Sequence, residues 1–295
     1  MRAASRCRSS KAEEEFDAVP SGDDDNAAGR FLGVDPRRRR SVRHPLGLSV
    51  PGTTVPGMTT DLCCPIVELR QYTVHADRRD DLVALFDREF VESQEVLGAR
   101  LIGQFRDLDA PGRFVWLRGF ADMATRHEAL TAFYHGPVWA RHGAAANVTM
   151  IDSDDVHLLH PVDAGSGFPL PGVGGAVDRP PAAATSALVA VEVYPVAGDL
   201  REFAEFFTTE AEPALGAAPV ARLETDSSPN TFPALPVHDD ANVFVWVARF
   251  PDADAHAAHR AGWTERPGLR AELRRRLSGP PAVLRLAPTE RSLLR

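Results

Sequence analysis

Lysine is nearly absent from this chain: Lys11 is the only one in 295 residues. Positive charge therefore rests on guanidinium groups, which stay ionised and fork onto carboxylates better than ammonium does. Schiff-base chemistry on a lysine is excluded beyond residue 11. Cysteine is scarce as well. Cys7, Cys63 and Cys64 include one adjacent pair and no zinc spacing, which excludes a disulfide framework and fits a reducing compartment, so the cytoplasm is the default location. No apolar run reaches membrane-spanning length, and the N-terminal arginines precede no apolar stretch, so neither a transmembrane helix nor a secretory signal is visible. The formal net charge of -8 argues against a nucleic-acid coat or an anionic membrane surface as partner, despite the local run Arg37 to Arg40. A glycine-rich phosphate loop, a nucleophile elbow, CxxC, HExxH and a haem-attachment motif are all missing, so no cofactor and no metal site are expected.

What remains is globular material, 44% apolar and 25% charged, with room for two modest domains. One strand is written twice. Phe114-Val115-Trp116-Leu117-Arg118-Gly119-Phe120 returns as Phe244-Val245-Trp246-Val247-Ala248-Arg249-Phe250, each copy followed by an Asp able to start a helix. The pattern divides the chain into a leader (1–61), a first unit (62–162), a Gly/Pro-rich linker (163–184) and a more degenerate second unit (185–289). The leader alternates acidic clusters, arginines and Pro/Gly/Thr stretches, the composition of a disordered tail. Met58, just before the first strand, is an alternative start.

Alternation over Val67 to Tyr72 predicts a strand. Asp77 is expected to cap the helix carrying Leu82, Leu85, Phe86 and Phe90. Residues 100–107 and 113–120 read as strands around the turn Asp109-Ala110-Pro111-Gly112. Asp122 caps a second helix, Pro137 opens a shorter one, and Val156 to Leu159 forms a last strand after an acidic turn at Asp152 to Asp155. The second unit repeats the order, with helices from Asp199, Asp252 and Pro267, a Pro-rich excursion from Pro229 to Asn242, and strands near Val220 to Glu224 and Val283 to Leu286. The order is β-α-β-β-α-β, the ferredoxin-like split unit.

One strand face is aliphatic in both units: Val67, Leu69, Val115, Leu117, then Val189, Val191, Val193, Val243, Val245, Val247. The other carries Glu68, Arg70, Tyr72, Gln104, Arg106, Trp116 and Arg118, answered by Glu192, Tyr194, Arg222, Glu224 and Trp246. The expectation is that the aliphatic faces lie under helices while the aromatic, charged faces pack on each other, giving an α+β fold in which tandem units form a dimeric or pseudo-dimeric α/β barrel. Aligning the units sets Arg70 against Glu192 and Arg106 against Glu224, and these charge-reversed positions are expected to pair across the sheet interface.

The runs Val67-Glu68-Leu69-Arg70-Gln71-Tyr72, Gly103 to Asp109, Phe114 to Phe120, Phe133-Tyr134-x-Gly136-Pro137-Val138-Trp139 and Met150 to Asp154 resemble the NIPSNAP family across most of the first unit. The resemblance implies a ferredoxin-like dimeric α/β barrel, a superfamily that includes small oxygenases and cyclases, but it brings no catalytic residues.

The sharpest constellation is Arg70, Tyr72, Gln104, Arg106, Trp116 and Arg118, which suits a planar aromatic or anionic ligand inside the barrel, with guanidinium clamping a carboxylate or enolate and indole stacking on its ring. Glu68, Glu192 and Glu224 offer the plainer alternative of a sheet-to-sheet ion-pair network. Among His135, His142 and His157, His142 is the best general-base candidate, one helical turn from Trp139. Two classes stay open: a small-molecule binder or enzyme of oxygenase or cyclase type, whose partner is an aromatic or carboxylate-bearing ligand, and a non-catalytic interaction module with a closed sheet interface. A homodimer is compatible with both.

Overall fold

The computed structural model describes residues 62–295. The leader and Met58 lie outside the described residues. The elements follow the same order twice. In the first half come β1 (Ile66–Val74), α1 (Arg79–Leu85), a π turn (Phe86–Phe90), α2 (Val91–Glu95), β2 (Arg100–Asp107), β3 (Arg113–Phe120), α3 (Met123–Tyr134), α4 (Pro137–Asn147) and β4 (Met150–Pro161). In the second come β5 (Leu188–Pro195), α5 (Leu200–Phe206), a π turn (Phe207–Ala211), α6 (Glu212–Leu215), β6 (Pro219–Thr225), β7 (Val243–Phe250), α7 (Ala253–Thr264), α8 (Pro267–Arg275) and β8 (Ala282–Pro288).

Asp122, Asp199 and Asp252 cap their helices as the sequence predicts, accepting from the backbone N–H groups of Thr125, Glu202 and Ala255. Asp77 does not. It sits at φ 61° in the left-handed region, and Arg78 precedes α1 with no side-chain cap. The acidic run Asp152 to Asp155 is not a turn either but the first part of β4. There the strand runs along β1, pairing Gln71 with Asp155 and Thr73 with Asp152 across an irregular register, and tertiary pairing overrides the low strand propensity of aspartate.

All eight strands close one antiparallel barrel in the order β1-β3-β2-β8-β5-β7-β6-β4. The halves join at two seams, β2 with β8 and β4 with β6. Closure leaves no strand edge unpaired. Residues of the predicted linker pack on this frame: Phe168 is fully buried in the barrel core and bridges Cys63, while Arg179 pairs with the buried Glu95.

The faces are the reverse of the sequence expectation. The barrel interior is the aliphatic set, Val67, Leu69, Val115 and Leu117 from one half meeting Val189, Val191, Val245 and Val247 from the other. Trp116, Tyr72 and Phe114 point outward beneath the first half's helices, and Trp246, Tyr194 and Phe244 beneath the second's. An eight-stranded barrel has an interior just wide enough for side chains to fill, which suits compact branched residues. Indoles and guanidiniums need the thicker layer between sheet and helix, where Phe86, Phe90 and Phe133 meet them.

Neither predicted cross-sheet pair forms. Arg70 and Glu192 hold matching registers, opposite Trp116 and Trp246 respectively, but on outer faces of different halves. Arg70 contacts Glu68 at 3.0 Å and Glu192 contacts Arg260 at 3.0 Å. Arg106 binds Asp80 at 2.7 Å, and Glu224 lies 3.2 Å from His160.

Cys63 and Cys64 are both buried, with their sulfur atoms side by side. The pair plugs one side of the barrel core, and Gly119 makes room for it: a Cβ there would lie 2.4 Å from the Cys64 side chain. Gly119→Ala is expected to cost about 1–3 kcal/mol by overpacking, read from urea unfolding, whereas an unchanged midpoint would mean that the Cys64 side chain moves aside freely.

Candidate functional site

The strand β1 alternates, so Glu68, Arg70 and Tyr72 share its outer face, and β3 sets Trp116 and Arg118 beside them. All of these side chains are buried. Glu68 is the hub. Its Oε2 accepts from Arg118 Nη2 at 2.6 Å, Arg118 Nε at 3.0 Å and Arg70 Nη1 at 3.0 Å, while its Oε1 accepts from Arg126 Nε of α3 at 2.7 Å. Although burial alone would raise its pKa, the guanidiniums of Arg118, Arg70 and Arg126 hold the Glu68 carboxyl well below the usual carboxylate range.

Three cations thus surround one anion, with no side-chain exposure at any of the four. Arg118 also donates to Gln94 Oε1 at 2.8 Å, and Arg126 to Asn230 Oδ1 at 3.0 Å. These partners are neutral, so the cluster keeps an excess of positive charge. Nη2 of Arg70 and Nη2 of Arg126 are buried with no hydrogen-bond partner among the described residues. Unpaired buried donors are costly and call for an acceptor.

In front of the cluster lies a cavity of about 80 Å³ between sheet and helices. Its wall is aromatic: Tyr72 and Trp116 from the sheet, Phe86 and Phe90 from the π turn, Phe133 and Tyr134 from α3, Trp139 from α4. The guanidinium of Arg118 sits 4.8 Å from the Trp116 ring centroid and that of Arg70 5.5 Å from the Tyr72 and Trp116 rings, so positive charge backs the wall. Arg70 Nε donates to the Tyr72 oxygen at 3.0 Å. That bond leaves the Tyr72 O–H to donate elsewhere, and burial raises its pKa despite the neighbouring Arg70, so the phenol keeps its proton. Trp116 Nε1 is also buried without a partner among the described residues.

The predicted set divides. Tyr72 and Trp116 line the cavity, with Arg70 and Arg118 directly behind them. Gln104, opposite Trp116 in β2, is buried with both amide atoms unpartnered among the described residues. Arg106 departs to the surface and Asp80. His142 faces Glu89 at 3.5 Å and His135 bonds its own helix at Thr131, both away from the cavity wall. None of the lining residues is a histidine or carboxylate. Gln94 and the α3–α4 aromatics escaped sequence reasoning because the helices were assigned to the opposite sheet face; the clue was the aromatic stripe Phe86, Phe90, Phe133, suited to an aromatic sheet.

The wall has one contribution from the other half. Leu235, from the Pro-rich excursion, lines the cavity, and Phe232 stacks on Tyr134 at 5.8 Å. Asn230 and Thr231 anchor that segment on Arg126.

The second half has no equivalent excess of charge at the matching residues. Tyr194 donates to Glu192, which also holds Arg260, and Glu212 accepts from Arg222 at 2.9 Å and from Trp246 Nε1 at 3.3 Å. Where Tyr72 accepts from a cation, Tyr194 donates to an anion.

Residues 67–164, which carry this cavity and its cluster, match the NIPSNAP family model. The likeness is to a NIPSNAP domain and is confined to these residues. Over 34% of its length the chain is 25% identical to a NIPSNAP family protein from Agrobacterium tumefaciens, covering 94% of that chain with a TM-score of 0.31. A monooxygenase candidate from Fusobacterium nucleatum subsp. nucleatum resembles a larger part, at 12% identity over 77% of this chain and 93% of its own, TM-score 0.48. An anthrone oxidase-like protein resembles 76% of this chain over 91% of its own at 12% identity, TM-score 0.49. No curated protein matches the sequence. The NIPSNAP-like region supplies β1, from Val67, to β4 of the barrel and the cavity wall except Leu235. Among the described residues no helix is long and apolar enough to cross a membrane.

Proposed function

We propose that the NIPSNAP domain binds a small planar anion of the aromatic carboxylate, phenolate or enolate class in the cavity between sheet and helices, not inside the barrel. One observation carries this reading: a buried cluster with three guanidiniums, one carboxylate and unpartnered donors stands directly behind an aromatic wall. The ring of the ligand lies against Trp116 and the phenylalanines, and its negative oxygen takes the Tyr72 O–H and the Trp116 N–H. Arg70 and Arg118 stabilise its charge through a low-dielectric layer.

With no base among the lining residues, the chemistry this wall favours is that of a ligand that ionises itself and whose anion is then stabilised, as cofactor-free oxygenation or cyclisation requires. At about 80 Å³ the cavity is smaller than the roughly 300 Å³ of ordinary small-molecule sites. A ligand of this class therefore needs the wall to widen, and Leu235, the one lining residue from the second half, is the expected point of movement. The alternative of a non-catalytic interaction module draws on a different observation, the aliphatic filling of the barrel, which closes the sheet interface. In either case a homodimer must form through helices and loops, because every strand is already paired on both sides.

Thermal-shift measurements against planar aromatic acids test the reading. A ligand present at a hundred times its dissociation constant should stabilise the protein by about 2.7 kcal/mol. Ala146, buried on the cavity wall, gives the control: Ala146→Phe fills the space and should abolish the shift. A shift that survives Ala146→Phe, or none across the panel, favours the interaction module.

A further inference from the structure

A second constellation lies at the β4 seam, outside the cavity wall. Asp155 and His157 alternate on β4 and so share a face, and His238 of the second half's excursion reaches them. The backbone fixes this meeting, because His238 N–H donates to the Val156 carbonyl between the two at 2.8 Å. His238 Nε2 lies 3.1 Å from Asp155 Oδ1, and the rings of His157 and His238 are 5.0 Å apart. One ligating atom from each of the three groups falls within 4.8 Å of the others. Bonds of ~2.1 Å in a tetrahedral set would separate ligand atoms by about 3.4 Å, within reach of small side-chain rotations.

The chemistry of the donor set narrows the occupant. Two imidazoles and one carboxylate suit a divalent ion of the zinc, ferrous or cobaltous kind, whereas calcium and magnesium take oxygen shells and cuprous ion takes sulfur. His157 Nδ1 is buried without a partner among the described residues. Asp155 and His157 lie 83 and 81 residues before His238 in sequence, and no spacing motif could have announced the set.

We infer that Asp155, His157 and His238 bind one divalent transition-metal ion, which fastens the excursion of the second half onto β4 of the NIPSNAP domain. Three protein ligands leave one position open to water. The same excursion carries Asn230 and Thr231 on Arg126, Phe232 on Tyr134 and Leu235 on the cavity wall. The ion therefore pins the far end of a strap whose near end lines the cavity. The inference does not depend on what that cavity binds.

The test uses the full chain, treated with chelator and dialysed, then titrated with Zn²⁺ by calorimetry. The expected result is one ion per chain, a rise in Tm, and slower proteolytic cleavage within residues 226–242. His238→Ala and His157→Ala should each remove the heat of binding and the protection. His238 is part-exposed, so its variant is expected to fold, and its metal-free Tm verifies this. His142→Ala, on α4, should change nothing. Absence of Zn²⁺ binding, its survival in both His157→Ala and His238→Ala, or its loss instead in His160→Ala would overturn the site. Binding that leaves cleavage of 226–242 unaltered would overturn the fastening role.

Discussion

Glu68→Gln is expected to lower the unfolding free energy by about 3–5 kcal/mol, the range for breaking a buried ion pair by removing one partner. The amide keeps the shape but not the charge, and Arg70, Arg118 and Arg126 would then share a dry pocket with no anion in it. The wild-type protein should show the same dependence as pH falls. A carboxyl whose folded pKa is depressed contributes stability that is fully present above its unfolded value, near 4.5, and that is lost progressively as pH drops toward the folded value. Urea unfolding as a function of pH checks both statements. The wild type should lose stability below about pH 4.5, and the variant should lack that component of the acid limb. A cost below ~1 kcal/mol, the size of an exposed pair, would mean that the cations find another counter-charge in solution.

Much of this architecture was written in periodicity. Alternation gave the strands, aspartates at 122, 199 and 252 marked helix starts through the hydrogen bonds they accept, and the repeated Phe-Val-Trp strand announced two equivalent sets of elements. Period 2 separates two faces of a strand but does not say which is inside when both are buried. That ambiguity inverted the sheets here. The sequence expectation places Val67 and Leu69 under the helices and Trp116 and Arg118 inside the barrel, and the predicted pairs Arg70 with Glu192 and Arg106 with Glu224 depend on that placement. Volume was the missing argument, since an eight-stranded barrel accommodates valines far more readily than stacked indoles.

The candidate site was legible in composition and not in place. Arg70, Tyr72, Trp116 and Arg118 do cluster, because neighbouring positions on paired strands must, whatever covers them. Arg106 left the set because it stands at the strand end within reach of Asp80 of α1. Arg126, Gln94 and Leu235 joined it from three other elements, 104 residues separating Arg126 from its partner Asn230, and local pattern holds no record of such meetings.

Arg70→Met should separate stability from binding. Glu68 keeps Arg118 and Arg126 when Arg70 is gone, and the protein sheds one of three crowded cations together with an unpartnered Nη2. Replacing a buried charge by an apolar chain of similar length in such a setting is often neutral or stabilising, so the expected change in unfolding free energy stays within about 1.5 kcal/mol. The effect on an anionic ligand is of another order. A cation roughly 7 Å from the ligand's charge at an effective dielectric of 20 is worth about 2 kcal/mol, or some 30-fold in affinity. The loss of the Arg70 Nε donor also leaves the Tyr72 phenol less polarised as a donor in its own right. Ligand titration followed by tryptophan fluorescence reads the affinity, and urea unfolding of the same preparation reads the stability. A variant that loses several kcal/mol would assign Arg70 to structure. One that binds as tightly as wild type would show that the surplus charge serves no ligand, and the reading of the aromatic wall as an anion site would fail with it.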